Sequence, residues 1–565
     1  MTDTSINIVI GGAAGQGLAT IGRLLSKGIT RSGYHLLVNQ KYMSRVRGGH
    51  NTFAIRLGPD PIVGPTEGID ILVALNAETL ELHQARLNSD AIVVAGDDID
   101  TDGFNALRIP FKELAPKSLF YNTVALGVLG AVVCHDAKIL EKLLTEAFAK
   151  KGDAVVQANI DVLRAAYAWV ASQKNDFPCI APPEKDDECI MVNGNEAIAL
   201  GALAAGCNFL SFYPMTPATT VAMSLIEKGG PLGLVYEQVE DEIAAVNMAI
   251  GASYAGARAV VTTSGGGFAL MVEGVSLAGV SETPLVCVVI QRPGPATGMA
   301  TRTEQGDLNL VLYAGHGEFP RAVFAPSDPE DCFYLTHRAF DLAERFQTPV
   351  FILSDQYLAD SYRSIEPFNI DDLPQTARPL LDADTSAYKR YQMTEDGVSP
   401  RLVPGSTTAL VRADSHEHDE NTKITEDGLN RMMQNTKRLN KEYGLWDEVV
   451  EPDYYGEDKP DILLVSWGST LGACLDAMDS ADFEKSIGVL HFKQLWPLLE
   501  DTFIDSLEES GMVVTVEGNA TGQFAKLIAQ ETGFMIREYI LRFDGRPMTP
   551  EYVLAGLNNI IKTME

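Results

Sequence analysis

The stretch INIVIGGAAGQGLATIGRLLSKGITRSG, residues 6–33, decides the fold class of this sequence. It opens with an apolar run that ends in glycines, a pattern typical of a buried strand. After the glycines, apolar residues recur at approximately helical spacing: Ala19, Ile21, Leu24, Leu25 and Ile29. A strand, a glycine-rich turn and a helix in this order predict the first unit of a layered α/β domain.

Strand and helix patterns keep alternating along most of the 565 residues. We therefore predict an α/β protein with several doubly wound parallel-sheet domains. The polar, proline-rich segment KNDFPCIAPPEKDDE predicts a linker after the first domain, and charged and turn residues dominate a later stretch. The predicted divisions are α/β domains at 1–175, 190–365 and 458–565, with an extended connecting segment at 366–457.

Composition and charge exclude several classes of protein. The net charge of −32 argues against binding to nucleic acid, whose phosphates require lysine and arginine. No apolar run of about 18 residues occurs, so we predict no transmembrane helix. The N-terminus has neither a basic region nor a cleavage signature, which predicts a cytoplasmic protein. The seven cysteines form no CxxC motif, so we expect buried thiols and no iron–sulfur or zinc site.

Two glycine-containing motifs near the N-terminus are candidates for an anion site. The motif GGAAGQG precedes a predicted helix, whose N-terminal N–H groups favour an anion, but its spacing matches neither GxGxxG nor the P-loop. A tight packing turn explains its glycines equally well. The arginines of SRVRGGHN could bind phosphate or carboxylate bidentately, or form surface salt bridges. The candidate residues are Gly12, Gly15, Gly17, Arg45 and Arg47.

The stretch YEQVEDEIAAVNMAIGASYAG, residues 236–256, contains the main catalytic candidate. Acidic residues in a first helical turn are stabilised by the helix dipole, which explains Glu240 and Asp241. Glu242 differs, because it precedes small residues that allow another molecule to approach closely. A desolvated carboxyl in that position would be suited to proton exchange.

Thr216, in SFYPMTPATT, has two interpretations. A threonine followed by Pro217 is typical of a helix N-cap with proline at the first helical position. Pro214 favours an extended Tyr213, which would end a strand there. Thr216 would then lie at the carboxyl end of a parallel strand, where α/β sheets bind ligands. One arrangement can satisfy both interpretations.

The order of several motifs resembles a known family. The spacing E-x-x-A-x-x-M-A-x-G, from Glu242 to Gly251, is similar to a motif of thiamine-diphosphate enzymes. The blocks YPMTPATT, EDEIAAVNMAIGAS, TTSGGGFALM, TRTEQGDLN and YLADS resemble the α subunit of 2-oxoacid:ferredoxin oxidoreductases, in the same order. The N-terminal region resembles the γ subunit of that complex, fused in front, and DGVSPRLVPG and VEGNATGQFAKLI are similar to its linker and C-terminal domain.

This resemblance implies a role for each predicted domain. Residues 190–365 would be a pyrimidine-binding (PYR) domain, 1–175 a γ-type domain, and 458–565 a transketolase-C-like domain. The glycine-turn and arginine candidates near the N-terminus would then form a site for coenzyme A or another anion.

The resemblance also implies roles for individual residues. Glu242 would bond N1′ of the cofactor pyrimidine and favour its imino tautomer, and Thr216 would contact the thiazolium and substrate. Arg302 would bind the substrate carboxylate, the alternative being a structural ion pair with Glu304 or Asp307. The residues expected to bind the cofactor are Tyr213, Pro214, Glu242, Ser264, Gly265 and Gly266.

The chain lacks part of the implied active site. Thiamine-diphosphate enzymes bind the diphosphate and Mg²⁺ through GDG and a later asparagine, and no GDG occurs here. We therefore expect no metal in this chain, and a β subunit that supplies the diphosphate/Mg²⁺ site and a [4Fe-4S] cluster. The implied reaction converts a 2-oxoacid and coenzyme A to acyl-CoA and CO₂, with electrons passed to ferredoxin.

The substrate remains open at this point. We favour 2-oxoglutarate, with pyruvate or a branched-chain 2-oxoacid as alternatives. A non-redox thiamine-diphosphate enzyme subunit is a second class of function, and a nucleotide-binding regulatory protein is a third. No nucleic acid or membrane is expected among the partners.

Overall fold

The structure is a computed structural model in which the chain forms two compact units. The first unit comprises Met1–Val192, Ser361–Pro367 and Thr549–Glu551, and the second comprises the remainder. The described residues are 5–13, 16–43, 49–173, 177, 179, 189–375, 385–482 and 484–564.

The first unit begins with the predicted strand, which continues through the glycines to Ala13. Strands and helices alternate as the sequence predicts, and the helices pack against a sheet. The elements are β1 (Ile6–Ala13), α1 (Leu18–Arg31), β2 (His35–Lys41), β3 (His50–Gly58), β4 (Ile69–Ala74), α2 (Ala77–His83), β5 (Leu87–Gly96), β6 (Ala106–Ile109), α3 (Phe111–Leu114), α4 (Tyr121–Val132), α5 (Ala137–Phe148), α6 (Asp153–Ala171) and β7 (Ile190–Asn193).

The sheet of the first unit is mixed rather than wholly parallel. Strands β6, β5, β4 and β1 are parallel, whereas β3 is antiparallel to both β1 and β2. β2 and β3 are consecutive strands, too close in the sequence for the long crossover connection that a parallel pair requires. The core under the sheet includes Ile8, Ile10, Leu25 and Phe53, each no more than 1% exposed.

The first part of the second unit confirms the predicted α/β alternation. Its elements are α7 (Gly194–Ala204), β8 (Phe209–Phe212), α8 (Thr219–Gly229), β9 (Val235–Gln238), α9 (Glu242–Tyr254), β10 (Ala259–Thr263), α10 (Gly265–Val280), β11 (Leu285–Gln291), α11 (Leu308–Leu312), β12 (Ala322–Phe324), α12 (Pro329–Phe346), β13 (Pro349–Asp355) and α13 (Gln356–Asp360). The strand order is β12-β13-β11-β10-β8-β9, and each neighbouring pair is parallel. This is the buried parallel sheet expected from the apolar runs.

After α13 the chain returns to the first unit and then forms the last part of the second. β14 (Tyr362–Ile365) pairs with β2, and the order β2-β14-β7 completes the first sheet. The remaining elements are α14 (Gly428–Trp446), β15 (Asp453–Tyr455), β16 (Ile462–Trp467), α15 (Leu471–Ser480), β17 (Ile487–Phe492), β18 (Gln494–Trp496), α16 (Ile504–Glu508), β19 (Met512–Glu517), α17 (Gln523–Thr532), β20 (Glu538–Leu541) and α18 (Pro550–Met564).

The C-terminal sheet has the order β15-β17-β16-β19-β20, in which only the β15 edge is antiparallel. β18 leaves this region and pairs with β12, so it joins the edge of the larger sheet. Phe351 of β13, Trp467 of β16 and Phe524 of α17 belong to one buried cluster. The two sheets of the second unit therefore share a core.

The segment 366–457, predicted to be extended, contains the 19-residue helix α14. Two cysteines also differ from expectation, because Cys134 and Cys179 form a disulfide. The thiols of Cys207, Cys287, Cys332 and Cys474 are buried, as expected for small apolar side chains. Among the described residues, no helix is long and apolar enough to cross a membrane.

Candidate functional site

Two neighbouring strands of the parallel sheet in the second unit end at the same edge and lead into the predicted site. β8 and β10 are parallel, with Phe212 opposite Thr262. The exposed Tyr213 and Pro214 follow β8 directly, and the buried Ser264 follows β10 directly. The carboxyl ends of parallel strands are where α/β sheets bind ligands. The topology thus places the segment that follows β8 and the segment that follows β10 at the same edge of the sheet.

Glu242 is the first residue of α9, and its side chain is buried, with the residue only 3% exposed. The helix begins here because the Asp241 side chain accepts a hydrogen bond from the Ala244 N–H at 2.7 Å. Asp241 is the cap, so the Glu242 carboxyl is not needed for capping. Among the described residues, Glu242 Oε1 has no hydrogen-bond partner. Buried polar atoms are usually paired in folded proteins, so this oxygen is available to a hydrogen-bond donor from a ligand or partner.

Gly267, in the first turn of α10, allows the Glu242 carboxyl to pack directly against the helix backbone. A Cβ at Gly267 would lie 2.5 Å from Glu242 Oε1 and would also collide with Thr263 Oγ1. A larger residue would therefore displace the carboxyl. A buried, unpartnered carboxyl oxygen beside bare backbone fits the aminopyrimidine of thiamine diphosphate, whose N1′ can supply the missing hydrogen bond.

Two further buried oxygens without partners lie at the N-terminus of α10. Ser264 is the N-cap residue but its side chain makes no cap bond, and its Oγ has no partner among the described residues. The Asp307 carboxyl lies directly against Gly265, where a Cβ would collide with it, and its Oδ2 is likewise unpartnered in the described chain. A Cβ at Gly266 would meet only the Ala296 carbonyl, at 3.6 Å. The predicted residues Ser264 and Gly265 therefore border a polar space.

Thr216 is held by Arg292, which follows β11. Arg292 Nη1 donates to the Thr216 carbonyl at 2.6 Å, whereas its buried Nε has no partner in the described residues. Burial lowers the pKa of the Arg292 guanidinium, and the charge of Asp307 acts in the opposite direction. Burial likewise raises the pKa of the Asp307 carboxyl to about 6, although Arg292 lowers it. Arg292 contacts the Thr216 carbonyl, and the charges of Arg292 and Asp307 each affect the pKa of the other group.

The prediction that Thr216 is a helix N-cap is wrong. α8 begins at Thr219, and its N-cap residue is Ala218, which makes no side-chain cap bond. A turn lies between Thr216 and the helix, and the Thr219 N–H donates to the Met215 carbonyl at 3.0 Å. The backbone thus satisfies the group that the Thr216 hydroxyl was expected to cap. Thr216 is exposed in this chain, so its hydroxyl is accessible to a ligand.

Arg302, the predicted partner of the substrate carboxylate, lies in a separate set of contacts. Its Nη1 donates to the Thr301 carbonyl at 2.9 Å. Its stem passes Gly545, where a Cβ would be 3.0 Å from Arg302 Cβ, and the Thr303 N–H donates to the Gly545 carbonyl at 3.3 Å. These contacts do not link Arg302 to Glu242, so its role stays a prediction.

The loop between β11 and α11 is fixed by buried polar bonds that sequence reasoning missed. Thr303 Oγ1 donates to Asp355 Oδ1 at 3.0 Å, at the end of β13. Gln305 Nε2 donates to the Trp467 carbonyl at 2.9 Å, and Gln305 Oε1 accepts from the Gly518 N–H at 2.7 Å. The loop is therefore anchored to both sheets of the second unit. The block TRTEQGDLN was a signal for its importance, but not for the role of Gln305 or Asp307.

The glycine-rich motif of the first unit is only partly described. Gly12 lies within β1, opposite Asn51, instead of in the turn. Gly17 precedes α1 with φ +82°, a conformation that favours glycine, and a Cβ there would also collide with Asn122. The side chain of Gln16 closes the turn by accepting from the Ala13 N–H at 2.6 Å. These contacts give the turn a structural role. The other candidates, Gly15, Arg45 and Arg47, lie outside the described residues.

Three family models match successive parts of the chain. Residues 7–169 match the model described as pyruvate ferredoxin/flavodoxin oxidoreductase. Residues 200–438 match the thiamine-diphosphate-binding model of pyruvate flavodoxin/ferredoxin oxidoreductase, and 455–551 match the transketolase C-terminal domain. The region of Glu242 and Thr216 is thus part of a thiamine-diphosphate-binding domain.

Relatives and solved structures extend this match to the whole chain. A 2-oxoacid:ferredoxin oxidoreductase subunit alpha from Sulfolobus sp is 31% identical, over 99% of this chain and 97% of the relative. A 2-oxoglutarate synthase subunit KorA from Archaeoglobus fulgidus is 36% identical, over 60% of this chain and 90% of the relative. The structure of a 2-oxoglutarate:ferredoxin oxidoreductase from Magnetococcus marinus, with 2-oxoglutarate, coenzyme A and succinyl-CoA bound, superposes with a TM-score of 0.94 at 30% identity. The superposition covers 99% of this chain and 100% of the Magnetococcus marinus chain. The chain belongs to the α-subunit family of the 2-oxoacid:ferredoxin oxidoreductases, which are oxidoreductase enzymes.

Proposed function

We propose that this chain supplies the pyrimidine-binding half of the active site in an enzyme that oxidises 2-oxoglutarate. The reaction consumes coenzyme A, releases CO₂, forms succinyl-CoA and passes electrons to ferredoxin. One observation supports this most strongly: the buried, unpartnered Oε1 of Glu242 beside Gly267. A buried carboxyl oxygen without a donor is costly unless a ligand completes it.

Glu242 is the residue that would hold a proton at N1′ of the cofactor. When bound, thiamine diphosphate supplies a nucleophilic carbon and an electron sink for decarboxylation. The Glu242 carboxyl stabilises the tautomer that is able to accept a proton, and burial keeps water from competing for its oxygen. Ser264, Gly265 and Gly266 lie at the N-terminus of α10, directly before Gly267, and Tyr213 and Pro214 follow the neighbouring strand β8, so all five are proposed to contact the cofactor.

Thr216 and Arg302 are proposed to bind the 2-oxoacid. The Thr216 hydroxyl is accessible, and Arg292 fixes the backbone that bears it. From this position the hydroxyl would donate to the reacting oxygen of the substrate. The planar guanidinium of Arg302 suits bidentate binding of a carboxylate. The anchored loop supports this role, because it restricts where Arg302 can reach.

The rest of the active site is proposed to come from a partner. The chain has no GDG motif, so a β subunit would bind the diphosphate and Mg²⁺ and hold a [4Fe-4S] cluster. The matched segments support assigning 1–175 as a γ-type domain, 190–365 as the PYR domain and 458–565 as a transketolase-C-like domain. The candidate coenzyme A or anion residues near Gly12 and Gly17, and a cytoplasmic location, are kept as proposals.

The choice of 2-oxoglutarate rests on two likenesses. The KorA relative is 2-oxoglutarate synthase by name, and the Magnetococcus marinus enzyme contains 2-oxoglutarate and succinyl-CoA. The full-length relatives are named for 2-oxoacids in general. Pyruvate and branched-chain 2-oxoacids therefore remain the alternatives.

Co-expression with its β subunit tests the proposal. The purified complex is supplied with coenzyme A and ferredoxin, and 2-oxoglutarate, pyruvate and 2-oxoisovalerate are compared by kcat/KM. We expect 2-oxoglutarate to give the highest value and ferredoxin reduction to depend on coenzyme A. Preference for another 2-oxoacid would overturn the substrate assignment alone. Product formation without any electron transfer would instead indicate a non-redox thiamine-diphosphate enzyme.

A further inference from the structure

The first unit contains a cavity of about 500 Å³ that the proposed chemistry does not use. Helices α1, α4, α5 and α6 line it, together with the turn before α4. Its volume lies within the range of small-molecule sites, about 300–1,000 Å³. All of its described lining residues belong to the first unit, whereas Glu242 belongs to the second. The cavity is therefore a candidate ligand site that does not include Glu242.

The wall of the cavity is mostly apolar, and its buried polar groups are paired within the chain. Thr123 Oγ1 donates to Asn159 Oδ1 at 2.7 Å, and Asn159 Nδ2 donates to the Val155 carbonyl at 2.8 Å. A cavity whose polar groups are already paired offers little to water, so an apolar ligand is favoured over solvent. The apolar residues of the wall include Ile21, Leu24, Phe120, Leu126, Leu144 and Phe148.

The helices around the cavity are in close contact elsewhere. α4 and α6 meet at Gly127, where a Cβ would lie 2.7 Å from the Ala166 Cβ. Towards the N-terminal ends of the same two helices, Thr123 and Asn159 line the cavity. The cavity is therefore a local opening between well-packed helices.

Two lysines give the lining a positive charge. Lys117 and Lys151 line the cavity and are both exposed, and neither forms an ion pair among the described residues. Lys151 Nζ lies 5.1 Å from the centroid of the Phe148 ring, which also lines the cavity. The described lining contains no acidic residue, although the chain has 76 acidic and 44 basic residues. A positive site in so acidic a chain favours an anionic ligand.

We propose that this cavity binds a medium-chain fatty acid, with the alkyl chain among the apolar side chains and the carboxylate at Lys117 and Lys151. The apolar wall accounts for the alkyl chain, since burial of apolar surface is favourable. The two lysines account for the carboxylate. A neutral apolar molecule would leave the lysines without a counter-charge, and a short carboxylate would leave the wall without contacts. The inference does not depend on the proposed 2-oxoacid reaction.

Calorimetric titration of the assembled complex with decanoate tests the inference. Acetate and 1-decanol are the comparison ligands, because acetate lacks the alkyl chain and 1-decanol lacks the charge. We expect saturable binding of one decanoate per chain, about ten-fold weaker binding of 1-decanol, and no detectable binding of acetate. Decanoate affinity should also fall as the salt concentration increases, because both lysines are exposed.

Substitutions in the lining locate the bound decanoate. Val155→Phe places a larger side chain in the cavity, so we expect decanoate affinity to fall about ten-fold. The double substitution Lys117→Gln and Lys151→Gln should weaken decanoate binding about ten-fold and leave 1-decanol binding unchanged. Lys150→Gln, at an exposed position that does not line the cavity, is the control and should retain wild-type affinity. Because both lining lysines are exposed, the double variant should keep the wild-type melting temperature, so it tests the site even if Val155→Phe fails to fold.

Wild-type decanoate affinity in the double variant would overturn the inference, as would equal affinities of the wild type for decanoate and 1-decanol. Absence of saturable decanoate binding to the assembled complex would also overturn it, and would indicate that a protein partner covers the cavity. The 2-oxoacid assay is run on the same preparation. A complex that binds decanoate as expected but oxidises no 2-oxoacid overturns the proposed function and supports the fatty-acid site.

Discussion

The buried carboxyls near the two ends of α10 differ in their ion pairing. Beyond the C-terminus, Glu282 is fully buried, and its two carboxylate oxygens lie 2.6 Å from Lys437 Nζ and 2.7 Å from Lys441 Nζ. At the N-terminus, the carboxyls of Glu242 and Asp307 each leave one buried oxygen without a partner in the described chain. Glu282 Oε2 also lacks a hydrogen bond, so the difference between the two ends is ion pairing: Glu282 has two lysine partners, and Glu242 and Asp307 have no ion pair among the described residues.

The comparison distinguishes a buried charge that is compensated within the fold from a buried charge that is available for function. Burial alone would raise the pKa of Glu282, but Lys441, Lys437 and Arg390 together hold it well below its usual range. That carboxyl is ionised and compensated within the fold. Burial raises the pKa of Asp307 to about 6, and the charge of Arg292 offsets this only in part. Buried carboxyls that have no counter-charge at ion-pair distance are candidates for a ligand site.

Replacing Glu242 should have the largest effect. Glu242→Gln removes the carboxylate while keeping the shape, so we expect kcat to fall about 1,000-fold, within the range of lost acid–base catalysis. Ferredoxin reduction by the assembled complex measures this. Glu240→Gln, at an exposed position two residues earlier, is the control and should retain full turnover. Wild-type turnover in Glu242→Gln would remove the central assignment.

Breaking the satisfied cluster should lower stability. Glu282→Gln leaves Lys437 and Lys441 buried without a counter-charge, so the free energy of unfolding should fall by about 3 kcal/mol. Denaturant unfolding measures the change. The control is Glu509→Gln, which removes the exposed partner of Lys459 and should cost less than about 1 kcal/mol. Equal effects of the two substitutions would contradict the comparison.

Displacing the Glu242 carboxyl should weaken cofactor binding. In Gly267→Ala the added methyl would meet Glu242 Oε1 at 2.5 Å, so we expect about 100-fold weaker binding of thiamine diphosphate. Calorimetric titration of the complex with the cofactor measures this. Gly266→Ala is the comparator and should lose less affinity, since its methyl meets only the Ala296 carbonyl, at 3.6 Å. A larger loss of affinity in Gly266→Ala than in Gly267→Ala would show that the position of the Glu242 carboxyl does not control cofactor binding.

Removing one hydroxyl should have the smallest effect. Thr216→Val keeps the size of the side chain and the backbone contact with Arg292, but removes the donor to the substrate. We expect kcat/KM for the 2-oxoacid to fall about 30-fold, which corresponds to about 2 kcal/mol, the strength of a hydrogen bond to a charged group. Thr219→Val, in the first turn of α8, is the control and should change kcat/KM less than three-fold. Near-normal kinetics in Thr216→Val would restrict this residue to a structural role.

The sequence predicted the α/β class, which the structure confirms, and it proposed Glu242 as a catalytic candidate, but it did not reveal the contacts around Glu242. The spacing from Glu242 to Gly251 lies within one helix, so it can be recognised without a structure. The incomplete hydrogen bonding of Asp307 and Arg292 arises from contacts between separate loops, which no local pattern contains. The N-cap prediction for Thr216 failed because a turn intervenes before α8.

Helix α14 was missed for a related reason. Its buried residues are polar or charged, apart from Leu445: Gln434, Lys437, Arg438 and Lys441. Such a helix shows no apolar periodicity, because its buried face pairs with acidic groups instead of packing on apolar ones. The charged and turn residues of 366–457 therefore predict an extended connecting segment instead of a helix.

The central claim is that the unpartnered oxygen of Glu242 belongs to the cofactor. An experimental structure of the chain assembled with its β subunit and thiamine diphosphate tests it directly. We predict that Glu242 Oε1 lies within hydrogen-bond distance, about 2.6–3.0 Å, of N1′ of the aminopyrimidine. A cofactor bound elsewhere, or a Glu242 carboxyl satisfied by a residue of either subunit, would contradict the account.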